Sequence, residues 1–259
     1  MKRIVIISDL HCGSRSGLTP PAWQWPTNSK NRDRRKYAEM QARVWAYYEE
    51  TLAALQPIDC LVVNGDAIDG KGERSGGTEL LEADRNEQAL MAAECIRVAR
   101  AKQVVIVRGT PYHVGKEDDF ESAVAALCGA NKIGDHEWIE AEGIIFDLKH
   151  KVGSSSIPHG RNTAPQRAAL WNALWAERGL QPRARVIVRS HVHYHVYSGD
   201  VRKLVLTTPA LQGWTKFGAK ECEGTTDVGL VHFDCEGGNF SWVAHLLDLQ
   251  WAAAKPYKV

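Results

Sequence analysis

Five short aliphatic runs, each ending in a cluster of Asp, His, Asn or Thr, set the architecture open to this 259-residue chain. Arg3–Ile7 runs into Ser8-Asp9-Leu10-His11, and Cys60–Asn64 into Gly65-Asp66-Ala67-Ile68-Asp69. Val104–Arg108 runs into Gly109-Thr110-Pro111-Tyr112-His113, Ile144–Leu148 into Lys149-His150, and Arg185–Arg189 into Ser190-His191-Val192-His193. Continuous β-branched runs of this length are strands buried on both faces. Helical periods fill the gaps. Tyr37, Met40, Val44, Tyr48, Leu52 and Leu55 form one apolar stripe. Glu79–Ala101, Asp118–Leu127 and Thr163–Glu177 form three more, with Pro165 suited to the first turn of the last. Lys203–Thr207, Gly229–Asp234 and Phe240–Leu246 are expected as later, antiparallel strands. Strand–helix alternation followed by a run of strands predicts an α/β sandwich with mixed sheets. The chain is expected to form one domain, residues 1–259, with an inserted loop and helix at about 14–55.

Ligands of open α/β sheets bind beyond the carboxyl ends of the strands. Residues i and i+2 of an extended segment point the same way. Asp9 with His11, and His191 with His193, are therefore expected to present paired ligands from extended backbone. These are oxygen and imidazole donors with no cysteine among them, a set suited to Mn²⁺, Fe, Zn²⁺ or Ni²⁺. One such cluster is weak evidence. Five of them after five strands point to a shared metal site.

The order Asp-x-His, Gly-Asp-x-x-Asp, Gly-x-x-x-His, His, His-x-His resembles the calcineurin-like metallophosphoesterase family, over residues 8 to about 215. The resemblance implies a four-layer α/β/β/α sandwich with two mixed β-sheets. It also implies two divalent cations, with Mn²⁺ favoured, and hydrolysis of a phosphoester by metal-activated water. By that match Asp9, His11 and His193 hold one metal, Asp66 bridges, and His150 and His191 hold the second. Asp69 and Asn64 match positions that either touch metal or orient a ligand.

Two motifs depart from the family. Its usual Gly-Asn-His is here Gly109-Thr110-Pro111-Tyr112-His113, so Thr110 stands in the Asn position. A hydroxyl is a poorer ligand than an amide oxygen. Either Thr110 or a water fills that place, or His113 becomes a ligand and is lost as the acid; a position for His113 beside the phosphate is the favoured reading. The isolated fourth-motif histidine is His150 or His159, with His150 favoured because strand ends are placed more rigidly than loops.

Substrate is less legible. Residues 13–29 form a long loop candidate with Trp23 and Trp25, followed by basic Lys30, Arg32, Arg34, Arg35 and Lys36. With Arg161 and Arg167, these could contact a phosphate backbone while a Trp stacks on a base. That favours a phosphodiester, DNA or RNA, over a phosphomonoester or phosphoprotein. A non-catalytic metal-binding module of the same fold is the other alternative. Lys71–Thr78 is a second, glycine-rich loop. His136, His232 and His245 have no cluster around them in sequence.

A formal charge of +1 argues against action through global basicity. The six scattered cysteines, Cys12, Cys60, Cys95, Cys128, Cys222 and Cys235, lack a Cys-x-x-Cys pair and read as reduced thiols. No run approaches the ~18–20 apolar residues of a membrane span. These features give the expectation of a soluble, cytoplasmic protein.

Overall fold

The structure, a computed structural model, describes residues 1–115, 119–215, 225–249 and 256. Cys222 and Asp118 lie outside the described residues. Two mixed sheets form the centre. In the first, β1 (Lys2–Ile7), β2 (Cys60–Asn64), β3 (Gln103–Val107) and β4 (Lys132–Gly134) run parallel. β10 (Val228–Glu236) and β11 (Asn239–Leu247) extend it antiparallel beside β1, in the order β11-β10-β1-β2-β3-β4. The second has the order β5-β6-β7-β9-β8, from β5 (Glu137–Ala141), β6 (Ile144–Leu148), β7 (Val186–Arg189), β8 (Val196–Asp200) and β9 (Lys203–Thr207). Its centre, β6-β7-β9, is parallel. The expectation of an antiparallel Lys203–Thr207 is thus corrected with respect to β7. The intervening strand β8 takes the antiparallel step and returns the chain beside β9.

The period of two along each strand divides the core. Val5, Ile7, Leu61, Val63 and Ile106 face the helices, while Ile4, Ile6, Val62 and Val107 meet Phe146, Leu148, Val186 and Leu206 of the second sheet. α1 (Arg32–Ala54), α2 (Arg85–Val98) and α4 (Phe120–Cys128) cover the first sheet. α5 (Thr163–Glu177) packs Ala169 against Ile187 and Val205 on the outer face of the second. The result is helices, sheet, sheet, helix.

Helix starts follow local chemistry. The side chain of Asn31 accepts from Arg34 N–H at 3.1 Å, and that of Asp84 accepts from Asn86 N–H at 2.8 Å. Asp84 is why α2 begins at Arg85 and not at Glu79: Leu80 instead bridges Ser14, and the helix waits for its cap. β4, β5 and β8 are not apparent as apolar runs because they lie toward sheet edges and carry charged residues.

Residues 13–20 are buried, so the first part of the long loop is packed in place. Gln41 of α1 donates to Arg15 O at 2.9 Å and accepts from Trp25 N–H at 3.1 Å, which pins both ends of the segment. Trp25 meets Tyr37 edge-on with ring centroids 6.4 Å apart. Among the described residues Cys12, Cys60, Cys95, Cys128 and Cys235 are free thiols. Also among them, no helix is long and apolar enough to cross a membrane.

Candidate metal centre

All the predicted ligands meet at one edge, the carboxyl ends of parallel strands from both sheets. Asp9 and His11 follow β1, Asp66 follows β2, His150 follows β6, and His191 and His193 follow β7. Under them runs a buried hydroxyl chain. Ser8 Oγ lies 2.6 Å from Thr208 Oγ1, Thr208 Oγ1 lies 2.7 Å from Ser190 Oγ, and Asn64 Nδ2 donates to Ser190 Oγ at 2.6 Å. This ties the strand ends of the two sheets before any ligand is placed.

The way these side chains converge corrects the extended-backbone expectation. Asp9, His11, Asp66, His191 and His193 have φ of 51°, 45°, 52°, 75° and 57°. Only two other described non-glycine residues, Arg100 and Glu142, have positive φ. Left-handed backbone costs an L-residue of this kind about 1 kcal/mol or more. His150 has no positive φ, but the loops turn the other five inward by this conformation, not by strand alternation. Pairing between loops holds it: Asp9 N–H donates to Gly65 O at 2.9 Å and His11 N–H to Asp66 O at 3.0 Å.

Two triads result. In the first, Nε2 of His11 and Nε2 of His193 are 3.2 Å apart, and Asp9 Oδ1 lies 3.2 Å from His193 Nε2 and 3.9 Å from His11 Nε2. Tetrahedral zinc with bonds of 2.0–2.1 Å has ligand atoms about 3.3 Å apart, so this triangle fits a metal. Asp9 Oδ1 is also buried with no hydrogen-bond partner. Such an atom is expensive to leave unsatisfied, and a cation is its natural counterpart. The other oxygen, Oδ2, accepts from His191 N–H at 3.2 Å.

In the second triad Asp66 Oδ2 lies 2.9 Å from His150 Nε2 and 3.9 Å from His191 Nδ1. His150 Nδ1 donates to Asn64 O at 2.7 Å, which fixes the ring with Nε2 toward the site. Asp69 does the same for the first triad, its Oδ1 3.1 Å from His11 Nδ1. Asn64 and Asp69 therefore orient histidines. Asp66 sits with the second triad, and Asp9 Oδ1 lies 3.9 Å from His150 Nε2, so Asp9 reaches members of both.

The variant residues separate clearly. Thr110 donates from N–H to Asp66 Oδ1 at 2.7 Å and from its hydroxyl to the same oxygen at 3.1 Å. Its role here is to hold Asp66. His113, on the short helix α3 (Pro111–Val114), leans edge-on against His11 at 4.4 Å and donates from Nδ1 to Asp69 O at 2.8 Å. It stands on the first-triad side. His150 is buried in the second triad, whereas His159 is exposed on a 3₁₀ turn.

Electrostatics follow from burial and crowding. Burial opposes ionisation of Asp9, yet the imidazoles of His193 and His150 hold its carboxyl far below the usual range. Burial likewise opposes charge on His150, but Asp66 and Asp9 push its pKa up to about 10. The metal-free protein therefore keeps this proton at pH 7, and a cation must displace it. Metal affinity is accordingly expected to rise with pH, by about tenfold per unit below that pKa. Calorimetry in buffers of different ionisation enthalpy should read release of about one proton with the second-triad metal. Binding without proton release would contradict this.

Two glycines are dictated by close approach. A Cβ on Gly65, at φ 88°, would collide with the ring of His150, and one on Gly109 would collide with Asp66. Gly65→Ala is expected to displace His150 and cut metal content from two ions to one, leaving Asp9, His11 and His193 in use. Elemental analysis of the purified variant measures this; full loading would show that His150 is not a ligand.

One supporting residue had no sequence signal beyond an acid in the first turn of a helix. Glu121 of α4 is fully buried, its Oε1 accepting from Ala67 N–H at 3.0 Å and its Oε2 from Gly109 N–H at 2.6 Å. One carboxylate thus joins the loop of Asp66 to the loop of Thr110. Burial, followed by the nearby charge of Asp66, pushes its pKa up to about 7.

The triads open into a cleft of about 470 Å³, walled by Tyr112, Tyr194, Trp214 and the hydroxyls of Ser14 and Ser154–Ser156. Gly72 and Ser75 of the glycine-rich loop also line it. Trp23, Arg32 and Arg35 do not. Trp23 packs on the helical core, Arg35 donates to Ser29 O at 3.2 Å, and Arg32 is exposed at the start of α1. Arg161 lies against the cleft wall, 4.5 Å over the ring of Tyr194. Elsewhere His232 Nδ1 is 2.8 Å from His245 Nε2, a cross-strand pair hidden by the turn between β10 and β11.

No protein-family model and no curated relative matches this sequence. The fold does match solved structures. Vps29 from Entamoeba histolytica, in complex with Zn²⁺, aligns with a TM-score of 0.50 at 14% identity, covering 95% of this chain and 93% of that one. The chain has the calcineurin-like metallophosphoesterase fold. An archaeal phosphodiesterase aligns with a TM-score of 0.48 at 12% identity over 94% and 99% of the two chains. Chaetomium thermophilum Vps29 aligns at 0.47 and 11% over 95% and 97%. At these identities the likeness is one of the metallophosphoesterase fold. The ligand geometry is this chain's own.

Proposed function

We propose that this protein is a dinuclear-metal phosphodiesterase acting on nucleic acid. The observation that carries the reading is the pair of Asp/His triads side by side, with the unpartnered oxygen of Asp9 in reach of both. Asp9, His11 and His193 hold one cation, and Asp66, His150 and His191 the other. When bound, two such cations supply Lewis-acid charge and acidify water at neutral pH. Mn²⁺ is the favoured metal, and Zn²⁺, Fe and Ni²⁺ suit the same donors.

The chain's own residues supply position and protons. His113 donates from Nδ1 to the Asp69 carbonyl, which leaves Nε2 as the ring's other functional atom in the cleft. Burial, then repulsion from His11, lowers its pKa to about 4. In the metal-free protein the ring is neutral at pH 7, so Nε2 must first take a proton from solvent before it can act as the acid. That proton can then pass to the leaving oxygen. The aromatic walls of the cleft suit the organic groups on either side of a diester, and its hydroxyls can donate to the non-bridging oxygens.

The test is a Mn²⁺-loaded protein assayed on bis-p-nitrophenyl phosphate, p-nitrophenyl phosphate and single-stranded DNA. Turnover of the diester and the DNA is expected. Monoester turnover alone would overturn the substrate class, and no turnover with any of the four metals would leave a metal-binding module without catalysis.

A further inference from the structure

A second cavity, about 370 Å³, lies between α5 and the segment that follows β6. That is within the ~300–1,000 Å³ of small-ligand sites. Its floor is a closed buried network. Asp147, 1% exposed, accepts from Arg189 Nη1 at 2.7 Å and from Asn172 Nδ2 at 2.9 Å, with His136 Nε2 at 2.9 Å. Asp147 is the one acid among the described residues lining the cavity, and Arg189 already neutralises it.

The rim is cationic and aromatic. Lys149, Lys151 and Arg167 are exposed there, and no described acid pairs with any of them. Arg167 lies close to the segment: a Cβ on Gly153 would stand 3.9 Å from its Nη2. Trp171 is 52% exposed, its ring stacked on Trp175 with centroids 6.2 Å apart and planes 27° off parallel. The packing of α5 does not account for it, because that helix buries Pro165, Ala169 and Asn172 instead.

The cavity and the metal cleft share one stretch of chain. Lys149, Lys151 and Gly153 line the cavity, His150 enters the second triad, and Ser154–Ser156 line the cleft. A polyanion bound at this stretch would face the three cations and the exposed indole of Trp171 that line the same cavity.

We propose that this cavity binds one nucleotide of a single-stranded nucleic acid whose neighbouring phosphodiester lies in the metal cleft. The base stacks on Trp171, and Lys149, Lys151 and Arg167 take the backbone. Stacking on an indole requires an unpaired base, hence a single strand and not a duplex. The inference rests on the phosphodiesterase reading of the cleft.

Anisotropy of a labelled oligothymidylate in EDTA, where no strand is cut, measures binding alone. Trp171→Ala is expected to weaken it at least about fivefold, the lower end of what one base-stacking aromatic supplies. Lys151→Ala/Arg167→Ala, both exposed positions, should flatten the log–log salt dependence by about 1.4, two single-strand phosphate contacts. The parent should bind the strand more tightly than the matching duplex. A parent that binds no single strand, or variants with the parent's affinity and salt slope, would overturn the site. Hydrolysis of bis-p-nitrophenyl phosphate by the Mn²⁺-loaded parent is read in parallel. Its absence beside intact strand binding overturns the phosphodiesterase reading, and its presence beside failed binding overturns only the second site.

Discussion

Asp66→Asn is expected to lower diester turnover by more than about 100-fold while leaving the protein folded. Groups that merely support a metal ligand are worth about 10–100-fold, and Asp66 is the proposed ligand itself. The amide keeps the oxygen that accepts from Thr110 N–H, so the loop contact at 2.7 Å survives. It replaces Oδ2, 2.9 Å from His150 Nε2, by a neutral donor. The second triad loses both its charge and a ligand atom. Turnover of bis-p-nitrophenyl phosphate, metal content and the thermal midpoint measure the three parts of this expectation. Parental turnover with two metals bound would remove Asp66 from the site.

The second large effect falls on a residue that hydrogen-bonds to none of the six proposed metal ligands. Glu121→Ala leaves the N–H groups of Ala67 and Gly109 without their acceptors in a buried place. Each such loss costs about 1–3 kcal/mol, so destabilisation of about 2–6 kcal/mol is expected, against a typical total of about 5–15 kcal/mol. The freed loops carry Asp66 and Thr110, and affinity for the second metal should fall about 10–100-fold. Glu121→Gln should be intermediate, because its amide oxygen can accept from one N–H while its NH₂ opposes the other. Urea denaturation and calorimetric titration with Mn²⁺ separate these effects. A variant with parental midpoint and metal affinity would show that Glu121 is a bystander.

Much of the fold is readable from local pattern because the central strands of both sheets are buried on both faces. Cys60–Asn64, Ile144–Leu148 and Lys203–Thr207 are mainly apolar strands with the predicted bounds, Asp147 being the one charged residue in the interior of a run. β5 and β8 were not readable, since an edge strand such as Glu137–Ala141 is half polar and resembles a loop. The same contrast runs through the site. Asp9, His11, Asp66, His150, His191 and His193 stand out in sequence because each closes an apolar run. Glu121 does not, because its partners are backbone N–H groups, which carry no residue identity. The basic stretch at residues 30–36 stands outside the cleft lining, and the sequence could not show this for a related reason: charge is visible in sequence, but the face to which it is turned is not.

Taken alone, the sequence determined the central strands, their carboxyl ends and the donor types, because periodicity and side-chain chemistry are local. Only the tertiary structure decided how those donors meet. Five left-handed residues turn them inward, Asp9 reaches both triads, Thr110 is engaged by Asp66, and His113 stands beside His11. Each of these depends on backbone brought together from distant parts of the chain. Local pattern cannot specify such contacts, since hydrogen bonds between loops, not intrinsic residue preference, stabilise the conformation.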